Sequence, residues 1–474
     1  MNLFEIPPLE PIDVRLPNPS GRALCLVVLI AATLPLLVAW RATPAPAPAS
    51  ADWPGFRGPN GAGVADGAAL PSSWDLSSGE HVLWSAEIPG LAHSSPIVLG
   101  ARVYLTTAVA EGMRSDLTLG DVEVAGIAVA EDRVSHRWNL IALDAASGEI
   151  LWSREAVAGE PRTGRHVKAS HASQTPASNG EVIVALFGSE GLFAFDMDGE
   201  PLWQVDLGNM NPGLWGDPDY PWGPASSPVI WEDLVIVQND RQAGSFLAAY
   251  DLRTGEQRWQ TDRDEKPAWS TPVIWQGEHT ELITNGANYI RGYDPATGEE
   301  LWRLSHGDIE VITPSPVVAG DTVVVTGGYP PGGNPIVALR PGGEGELEPE
   351  PGSDHVQWQV QPGSPYTPTP VIYRGRVHVI ADNGIFSVYD LATGERVHRA
   401  RMAVGAGFSA SPLASDGRLF FASEDGDVFV LSADSYEELA RIDMGEPLMA
   451  TPAIAGNTLF IRGSERIWAV SASD

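Results

Sequence analysis

Residues 247–259, LAAYDLRTGEQRW, and residues 290–302, IRGYDPATGEELW, contain the same turn followed by the same tryptophan. In each copy an aspartate precedes the tryptophan by eight residues, and a glycine lies between them. Aspartate accepts hydrogen bonds from the backbone that follows it, and glycine supplies the positive φ of a tight hairpin. We therefore interpret each copy as a hairpin whose second strand carries a tryptophan at a fixed position.

The tryptophan position recurs along the chain, and we call it the docking position. A flat indole there can pack between adjacent sheets and fill the wedge that widens away from a central axis. The structural docking tryptophans predicted from the repeat are Trp84, Trp152, Trp203, Trp259, Trp302 and Trp358. The sixth unit has His398 at this position, and the seventh, residues 431–442, has neither turn glycine nor tryptophan. We expect those joints to be looser or packed by other side chains.

A Ser-Pro or Thr-Pro pair opens a β-rich run eight times, and each run has the pattern of four short strands. The pairs are Ser95-Pro96, Thr175-Pro176, Ser227-Pro228, Thr271-Pro272, Ser315-Pro316, Thr369-Pro370, Ser411-Pro412 and Thr451-Pro452. The shortest steps give a unit of about 42 residues, and residues 108–135 and 341–353 are insertions in longer units. Four antiparallel strands per unit, repeated radially, are typical of a β-propeller.

The two ends of the repeat complement each other. The eighth unit, residues 451–474, stops before its tryptophan strand, whereas residues 81–89, HVLWSAEIP, form such a strand ahead of the first unit. If these two segments pair, the ring closes and leaves no open sheet edge there. The sequence therefore predicts an all-β fold: an eight-bladed β-propeller with four-stranded antiparallel blades, the last one closed by the N-terminal strand.

Charge and cysteine content exclude several functions. The chain has 61 Asp and Glu against 29 Lys and Arg, a net charge of −32, and the excess lies in residues 42–474. So acidic a domain repels phosphate, which argues against nucleic-acid partners and against a basic membrane-binding patch. The single cysteine, Cys25, cannot form an internal disulfide, a cysteine-rich zinc site or a haem attachment motif.

The N-terminus indicates export. Residues 23–40, ALCLVVLIAATLPLLVAW, form an uncharged run long enough to span a bilayer, and we predict one transmembrane signal-anchor helix there. Residues 1–22 would then be cytoplasmic, 41–52 a Pro/Ala linker, and 53–474 a propeller anchored to the inner membrane and facing the periplasm or exterior. The alternative is a signal peptide cleaved after residues 49–51, which would give a secreted protein.

The AxDxxTGxxxW repeat resembles that of PQQ-like propellers, the quinoprotein alcohol dehydrogenase-like superfamily, over residues 53–474. The start of this region, DWPGFRGPNG at residues 52–61, resembles exported planctomycete-type members, and the outer-membrane assembly factor BamB is a related non-enzymatic member. In the enzymatic branch, the resemblance implies PQQ on the propeller axis, a Ca²⁺ ion and an aspartate base. No residue here matches those positions one by one, so we assign no catalytic residue.

Polar and aromatic residues at strand ends are candidates for lining a funnel. The possible funnel ligand-binding residues are His171, Gln174, Trp222, Asn239, Asp240, Trp269, Asn285, Tyr366, Asp382 and Arg462. We predict no metal site, because residues 424–427 fit a hairpin turn and the spacing of His166 and His171 does not favour zinc.

Two functions follow as hypotheses. The first is a non-catalytic binding or scaffolding module of the cell envelope, without cofactor, which takes an envelope protein, peptide or glycan at the funnel. The alternative is a PQQ- and Ca²⁺-dependent oxidoreductase acting on alcohols or sugars.

Overall fold

The computed structural model describes residues 52–115, 117–119, 129–217, 220–307, 309–328, 335–361 and 363–472. The predicted cytoplasmic segment, the predicted membrane helix and almost all of the linker lie outside these residues. Within the described ranges, no helix has the length and hydrophobicity needed to cross a membrane. Helical structure in them consists of two short 3-10 helices, Pro59–Gly61 and Gly188–Glu190.

The described chain forms eight antiparallel blades, which confirms the predicted eight-bladed propeller. One strand, β1 (Val82–Glu87), precedes the first blade. Blade 1 contains β2 (Ile97–Leu99), β3 (Arg102–Ala110), β4 (His136–Asp144) and β5 (Ile150–Gly159). Blade 2 contains β6 (Ala177–Ser178), β7 (Val182–Leu186), β8 (Leu192–Asp196) and β9 (Pro201–Val205). Blade 3 contains β10 (Val229–Trp231), β11 (Leu234–Asn239), β12 (Ser245–Asp251) and β13 (Gln257–Arg263). Blade 4 contains β14 (Val273–Gln276), β15 (Thr280–Asn285), β16 (Tyr289–Tyr293) and β17 (Glu300–Ser305).

The second half of the ring follows the same order, with one added strand. Blade 5 contains β18 (Val317–Ala319), β19 (Thr322–Thr326), β20 (Ile336–Leu339) and β22 (Val356–Val360), while β21 (Gly345–Glu346) pairs in parallel with β17 of blade 4. Blade 6 contains β23 (Val371–Tyr373), β24 (Arg376–Ile380), β25 (Ile385–Asp390) and β26 (Arg396–Arg401). Blade 7 contains β27 (Leu413–Ser415), β28 (Arg418–Ala422), β29 (Asp427–Ser432) and β30 (Glu438–Asp443). Blade 8 contains β31 (Ala453–Ala455), β32 (Thr458–Arg462) and β33 (Arg466–Ser471), with β1 as its outer strand.

The predicted ring closure is confirmed by the pairing of β1 with β33. Ser85 faces Trp468 in an antiparallel register that runs from Val82 to Glu87 on the N-terminal strand. The N-terminal segment also supplies the turn of this blade, because Asp75 accepts the backbone N–H of Gly79 through its carbonyl. That turn has the Asp–Gly spacing of the other blades, so its signal is present in the sequence although we did not predict it.

The repeated Ser/Thr-Pro pairs form a ring of hydrogen bonds around the axis. In each case the backbone N–H of the Ser or Thr donates to the side-chain hydroxyl of its counterpart in the next blade at 3.0 Å. Seven such bonds run from Ser95 in blade 1 to Thr451 in blade 8. The seam between blades 8 and 1 has a different link, since Arg462 Nη1 donates to Ser94 O at 3.0 Å and to Thr106 O at 2.9 Å. Each of the seven accepting Ser or Thr hydroxyls thus takes a hydrogen bond from a backbone N–H of the neighbouring blade close to the axis, and so joins the two blades.

At the rim, several docking tryptophans lie against the turn glycine of the next blade. A Cβ on Gly298 would lie 2.4 Å from the Trp259 ring, and one on Gly255 would lie 2.7 Å from the Trp203 ring. The Trp259 indole N–H also donates to Pro295 O at 3.1 Å. The same arrangement, with a carbonyl one residue after the turn aspartate as acceptor, occurs at Trp84, Trp203 and Trp358. Glycine is therefore needed both for its positive φ and for space.

Two docking tryptophans depart from this pattern. Trp152 meets the shorter turn of blade 2 at Gly199, and its indole nitrogen finds no hydrogen-bond partner among the described residues. Trp302 is fully buried and donates to a carboxylate oxygen of Glu281 in its own blade at 2.7 Å. Beside it, the insertion after β20 adds β21 to the edge of blade 4. An insertion here replaces the turn that a regular unit would offer to Trp302.

The joints around blade 7 are filled by other aromatic rings. His398 lies 4.7 Å from Tyr436, which takes the left-handed turn position with φ 62° where the repeat has glycine. On the other side, Trp74 from the N-terminal segment is buried and donates to the sulfur of Met444 at 3.3 Å. These rings occupy space left by the missing tryptophan and glycine of the seventh unit.

Residues 52–70 cross the inside of the ring, where the first strands of the blades lie. Trp53 pairs with Val98 of blade 1, and Val64 pairs with Ala414 of blade 7. The segment therefore covers the central axis of the ring on the side where the innermost strands have their C-terminal ends.

Arg57 anchors this segment on the axis. Its fully buried guanidinium donates to the carbonyl oxygens of Thr369, Pro370 and Pro412 at 3.2, 2.7 and 3.2 Å. Burial lowers the pKa of Arg57 to about 9, which still leaves it protonated at neutral pH. A guanidinium with five donors suits this cluster of carbonyls from two blades.

Candidate functional site

The candidate residues lie on the side of the propeller opposite to residues 52–70, and we call this side the loop face. It consists of the described parts of the loops before each inner strand, residues 88–96, 160–176, 206–228, 264–272, 306–316, 361–370, 402–412 and 444–452, with the turns between second and third strands. All ten predicted funnel residues lie in these loops or at the strand ends beside them. The structure distributes them among separate groups of internal contacts.

His171 belongs to a buried ionic group. The carboxylate of Asp132 accepts hydrogen bonds from Arg165 Nε and Nη2 at 2.9 and 2.7 Å through Oδ2, and His171 Nε2 lies 3.3 Å from Oδ1. Burial opposes ionisation of Asp132, but the hydrogen bonds from His171 and Arg165 outweigh it and hold its pKa well below the usual range. Asp132 lies in the long insertion of blade 1, where no sequence motif singles it out.

Gln174 borders a small cavity next to this group. The cavity has a volume of about 10 Å³ and is lined by Trp138, His171, Gln174 and Glu190, among others. Gln174 is buried, and its Nε2 finds no partner among the described residues. A space of this size holds about one water molecule.

Trp222 and Trp269 form an aromatic pair. Their rings lie 5.8 Å apart, and the ring of His166 lies 6.2 Å from Trp222. The Trp269 indole N–H donates to Gly223 O at 2.7 Å. Burial lowers the pKa of His166 to about 4, so this ring is neutral at pH 7. The pair is packed between loops rather than open to solvent, since Trp269 is buried and Trp222 is half-buried.

Asp240 is part of a buried charge network between blades 3 and 4. Arg263 donates to both of its oxygens, at 2.7 and 3.0 Å, and to Tyr293 at 2.7 Å. Nearby, Arg291 pairs with Glu265, whose pKa is raised by burial. This network is internally balanced, because each buried carboxylate has a guanidinium beside it.

Asn239 ends the strand before Asp240 and is buried, and its Nδ2 finds no partner within the described part of the chain.

The remaining candidates hold loops in place. Asp382 accepts the backbone N–H groups of Tyr366 and Thr367 at 2.8 and 3.0 Å, although burial raises its pKa. Asn285 Nδ2 donates to two backbone carbonyls, and its Oδ1 accepts from His306 Nε2 at 2.6 Å. Arg462 closes the seam between blades 8 and 1, as described above.

One ion pair crosses the funnel. Lys168, in the loop before blade 2, lies 2.8 Å from the carboxylate of Glu424 in blade 7. Ser409 donates to the same carboxylate oxygen at 2.6 Å. The bridge joins loops on distant blades and covers part of the axis.

An open cleft lies farther out on the loop face. It has a volume of about 270 Å³ and is lined by Trp215, Gln242, Ser245, Lys266 and Asn288, among others. The Trp215 side chain is 45% exposed, while Gln242 fixes its loop by accepting from Gly216 N at 3.1 Å and donating to Leu214 O. An exposed indole next to side-chain amide groups provides both a stacking surface and hydrogen-bonding partners. Trp215 and Trp222 lie in the same aromatic loop, residues 211–223, which the sequence indicates as a binding loop, but Trp215 is not one of the ten predicted funnel residues.

Comparisons with known proteins agree with this architecture. The sequence model of the family described as "Outer membrane protein assembly factor BamB" matches residues 38–214, 136–278, 286–407 and 382–474. None of the curated proteins compared with the chain matches it. Among solved structures, the quinohemoprotein alcohol dehydrogenase from Comamonas testosteroni is 12% identical with a TM-score of 0.57, covering 89% of this chain and 80% of its own. The computationally designed Ika8 protein is 12% identical with a TM-score of 0.51, covering 76% and 98%.

At this level of identity the structural matches speak to the fold alone, whereas the family match spans most of the sequence. The structure also has the repeat pattern, the eight blades and the ring closure that the sequence predicts for a PQQ-like propeller. The chain therefore belongs to the PQQ-like β-propeller repeat family of the outer membrane protein assembly factor BamB.

Proposed function

We propose that this propeller is a non-catalytic binding module of the cell envelope that takes a glycan, peptide or protein edge on its loop face. The observation that carries this proposal is the open cleft beside Trp215, whose lining combines an exposed indole with amide, ammonium and carboxylate groups. Stacking on the indole and hydrogen bonding to Gln242 and Asn288 suit a sugar ring or an extended peptide.

The polar groups near the axis support binding over catalysis. Asp240 is paired with Arg263, Glu424 with Lys168, and Asp382 with backbone N–H groups. A calcium-bound quinone needs carboxylate and amide oxygens that can turn to the ion, beside a flat cavity of its own size. These carboxylates are already held by their partners, and the cavity at His171 has room for only about one water, so neither is a good fit for PQQ and Ca²⁺.

The net charge of the chain limits which partners are favoured. A net charge of −32 disfavours acidic partners and favours neutral or cationic ones. Binding to a cationic partner should weaken as salt rises, whereas binding to a neutral glycan should not.

Binding to bacterial envelope glycans and peptides tests the proposal directly. We expect the purified propeller to retain a subset on an array, and the Trp215→Ala variant to lose that retention. Leu202→Ala is a matched control, because Leu202 is equally exposed at 46% but lies on the outer strand of blade 2. Equal retention by Trp215→Ala and the native chain would refute the assignment of the cleft.

The competing activity has its own test. The purified protein would be incubated with PQQ and Ca²⁺ and assayed for dye reduction with alcohols and sugars. We expect no turnover above the protein-free control. Sustained turnover would replace the binding proposal with a quinoprotein oxidoreductase.

We further propose that the propeller is exported and tethered by residues 23–40. The support is the uncharged 18-residue run bounded by Arg22 and Arg41. The intact mass of the mature protein from membranes checks this: the full-chain mass is expected, and a mass starting near Asp52 would indicate cleavage and secretion instead.

A further inference from the structure

Three potential metal ligands meet where the insertion of blade 1 docks on the loop before blade 2. Asp132 lies in the insertion, His136 begins β4, and His171 lies in the loop. Each offers one ligand atom, and these three atoms lie within 4.8 Å of one another. The two imidazole rings are 4.8 Å apart and meet edge to face. Two imidazoles and one carboxylate thus converge from separate segments of the chain.

His136 provides the observation that points to a ligand. Its Nδ1–H donates to the carbonyl oxygen of Val134 at 2.8 Å, which leaves the lone pair on Nε2. The side chain is fully buried, and Nε2 finds no hydrogen-bond partner among the described residues. Leaving a buried acceptor unsatisfied is costly, and a metal ion would use it. Metal-binding histidines are commonly held in this way by a carbonyl on the other ring nitrogen.

Asp132 is oriented for the same purpose. Arg165 holds Oδ2 with two hydrogen bonds, so Oδ1 is the oxygen directed towards His171. Metal binding would replace the hydrogen bond between His171 Nε2 and Oδ1 and release the Nε2 proton to solvent. The positive charge of Arg165 is balanced by Asp132 itself, and Glu190 in the adjoining cavity adds a further carboxylate. Anchoring one oxygen of a carboxylate while the other binds the ion is a usual outer-shell arrangement.

The adjoining cavity supplies a fourth position. Its volume of about 10 Å³ fits one water molecule next to His171. The buried Nε2 of Gln174, which finds no partner in the described part of the chain, lines the same space and would donate to that water. Three protein ligands and one water make a tetrahedral set.

We propose that Asp132, His136 and His171 bind a divalent transition-metal ion, with Zn²⁺ best suited to two imidazoles, one carboxylate and a water. Zinc bonds of about 2.0–2.1 Å place tetrahedral ligand atoms about 3.4 Å apart, so no pair of ligand atoms has to close by more than about 1.4 Å on binding. The ion would fasten the insertion to the loop face and thereby stabilise a part of the molecule that lies outside the repeat.

Titration of the full-length chain, without an affinity tag and after treatment with a chelator, tests the site. We expect one Zn²⁺ or Co²⁺ ion per chain, visible d–d absorption typical of four-coordinate Co²⁺, and a higher melting temperature with metal. Ca²⁺ and Mg²⁺ should produce none of these effects, because they prefer oxygen ligands. Absence of Zn²⁺ and Co²⁺ binding would overturn the proposal.

Two ligand variants and one matched control locate the ion. His136→Gln and His171→Asn should each weaken Co²⁺ binding by more than about 100-fold, beyond the 10–100-fold typical of outer-shell changes. His378→Gln is the control, because His378 is also fully buried, has Nδ1 near a carbonyl and has an unpartnered Nε2 among the described residues, but lies in blade 6 outside the cluster.

The control should bind Co²⁺ like the native chain. Native affinity in either ligand variant, or equal loss in the control, would refute the site. Near-ultraviolet circular dichroism of each variant without metal separates lost binding from lost folding.

Discussion

The joint between blades 3 and 4 and the joint between blades 6 and 7 occupy equivalent places on the rim but are filled differently. At the first, Trp259 lies on Gly298 and donates a hydrogen bond to Pro295 O at 3.1 Å. At the second, His398 lies on Tyr436, with ring centroids 4.7 Å apart. The indole facing a glycine at the first joint and the imidazole facing a phenol ring at the second fill similar volumes between neighbouring blades.

The difference shows what the repeat conserves in three dimensions. A joint must be filled at the density of a protein interior, but several side-chain combinations can do this. The regular joint adds an indole hydrogen bond to a backbone carbonyl, which the His398–Tyr436 joint does not show. We therefore expect the regular joint to tolerate substitution less well.

The largest expected effect is the loss of the indole. Trp259→Ala should lower the free energy of unfolding by about 3 kcal/mol, because Trp259 is half-buried between two sheets and its loss also removes the hydrogen bond to Pro295 O. His398→Ala should cost about 1 kcal/mol, since Tyr436 and Phe386 remain to cover the smaller space. Chemical denaturation of both variants measures the difference, and equal losses would mean that the two joints contribute alike.

The glycine opposite the indole should be the next most sensitive position. Gly298→Ala should cost about 2–3 kcal/mol, because φ is +74° and the new Cβ would lie 2.4 Å from the Trp259 ring. Gly307→Ala is the matched control: φ is +81°, but nothing lies within 4 Å of a Cβ there, so only the backbone cost of about 1 kcal/mol remains. Similar denaturation midpoints for the two variants would show that the ring yields to the methyl group.

The smallest effect concerns pH and the joint between blades 6 and 7, where the His378 ring of β24 lies 6.1 Å from the ring of Tyr436. Burial lowers the pKa of His378 to about 4, whereas an unfolded histidine titrates near 6.5. The unfolded chain therefore takes up this proton first as pH falls, and stability is lost progressively between pH 6.5 and pH 4. From pH 7 to pH 5 this amounts to about 2 kcal/mol, which His378→Gln should abolish.

Urea denaturation of the native chain and the variant at both pH values measures this contribution. An unchanged difference between pH 7 and pH 5 in the variant would mean that other groups cause the pH dependence.

Much of the fold could be predicted because the same sequence pattern recurs in most blades. The turn of residues 251–259 needs only local hydrogen bonds and one positive φ, so its sequence specifies its shape wherever it occurs. Ring closure followed from the unmatched strands at the two ends. The Ser/Thr-Pro pairs that begin at Ser95 were recognised as a repeat. Their hydrogen bonds around the axis were not predicted, because each bond joins residues 40 or more positions apart.

The candidate site was much harder to predict. Strand-end position correctly placed Asp240 and Asp382 on the loop face, but it could not show that Arg263 pairs with one and backbone amides with the other. Asp132 was missed because it lies in an insertion with no repeated counterpart. Trp215 was passed over because exposure cannot be read from a Pro/Gly-rich loop.

Sequence alone determined the blade count, the closure of the ring, the acidic character and the positions of the rim tryptophans, because these depend on local turn chemistry and on composition. Tertiary structure alone decided that Arg57 anchors the N-terminal segment to blades 6 and 7 and that Asp132, His136 and His171 meet. Those contacts join segments separated along the chain and unrelated by the repeat. Their geometry arises from how insertions and the N-terminal segment pack on a scaffold that the repeat has already set.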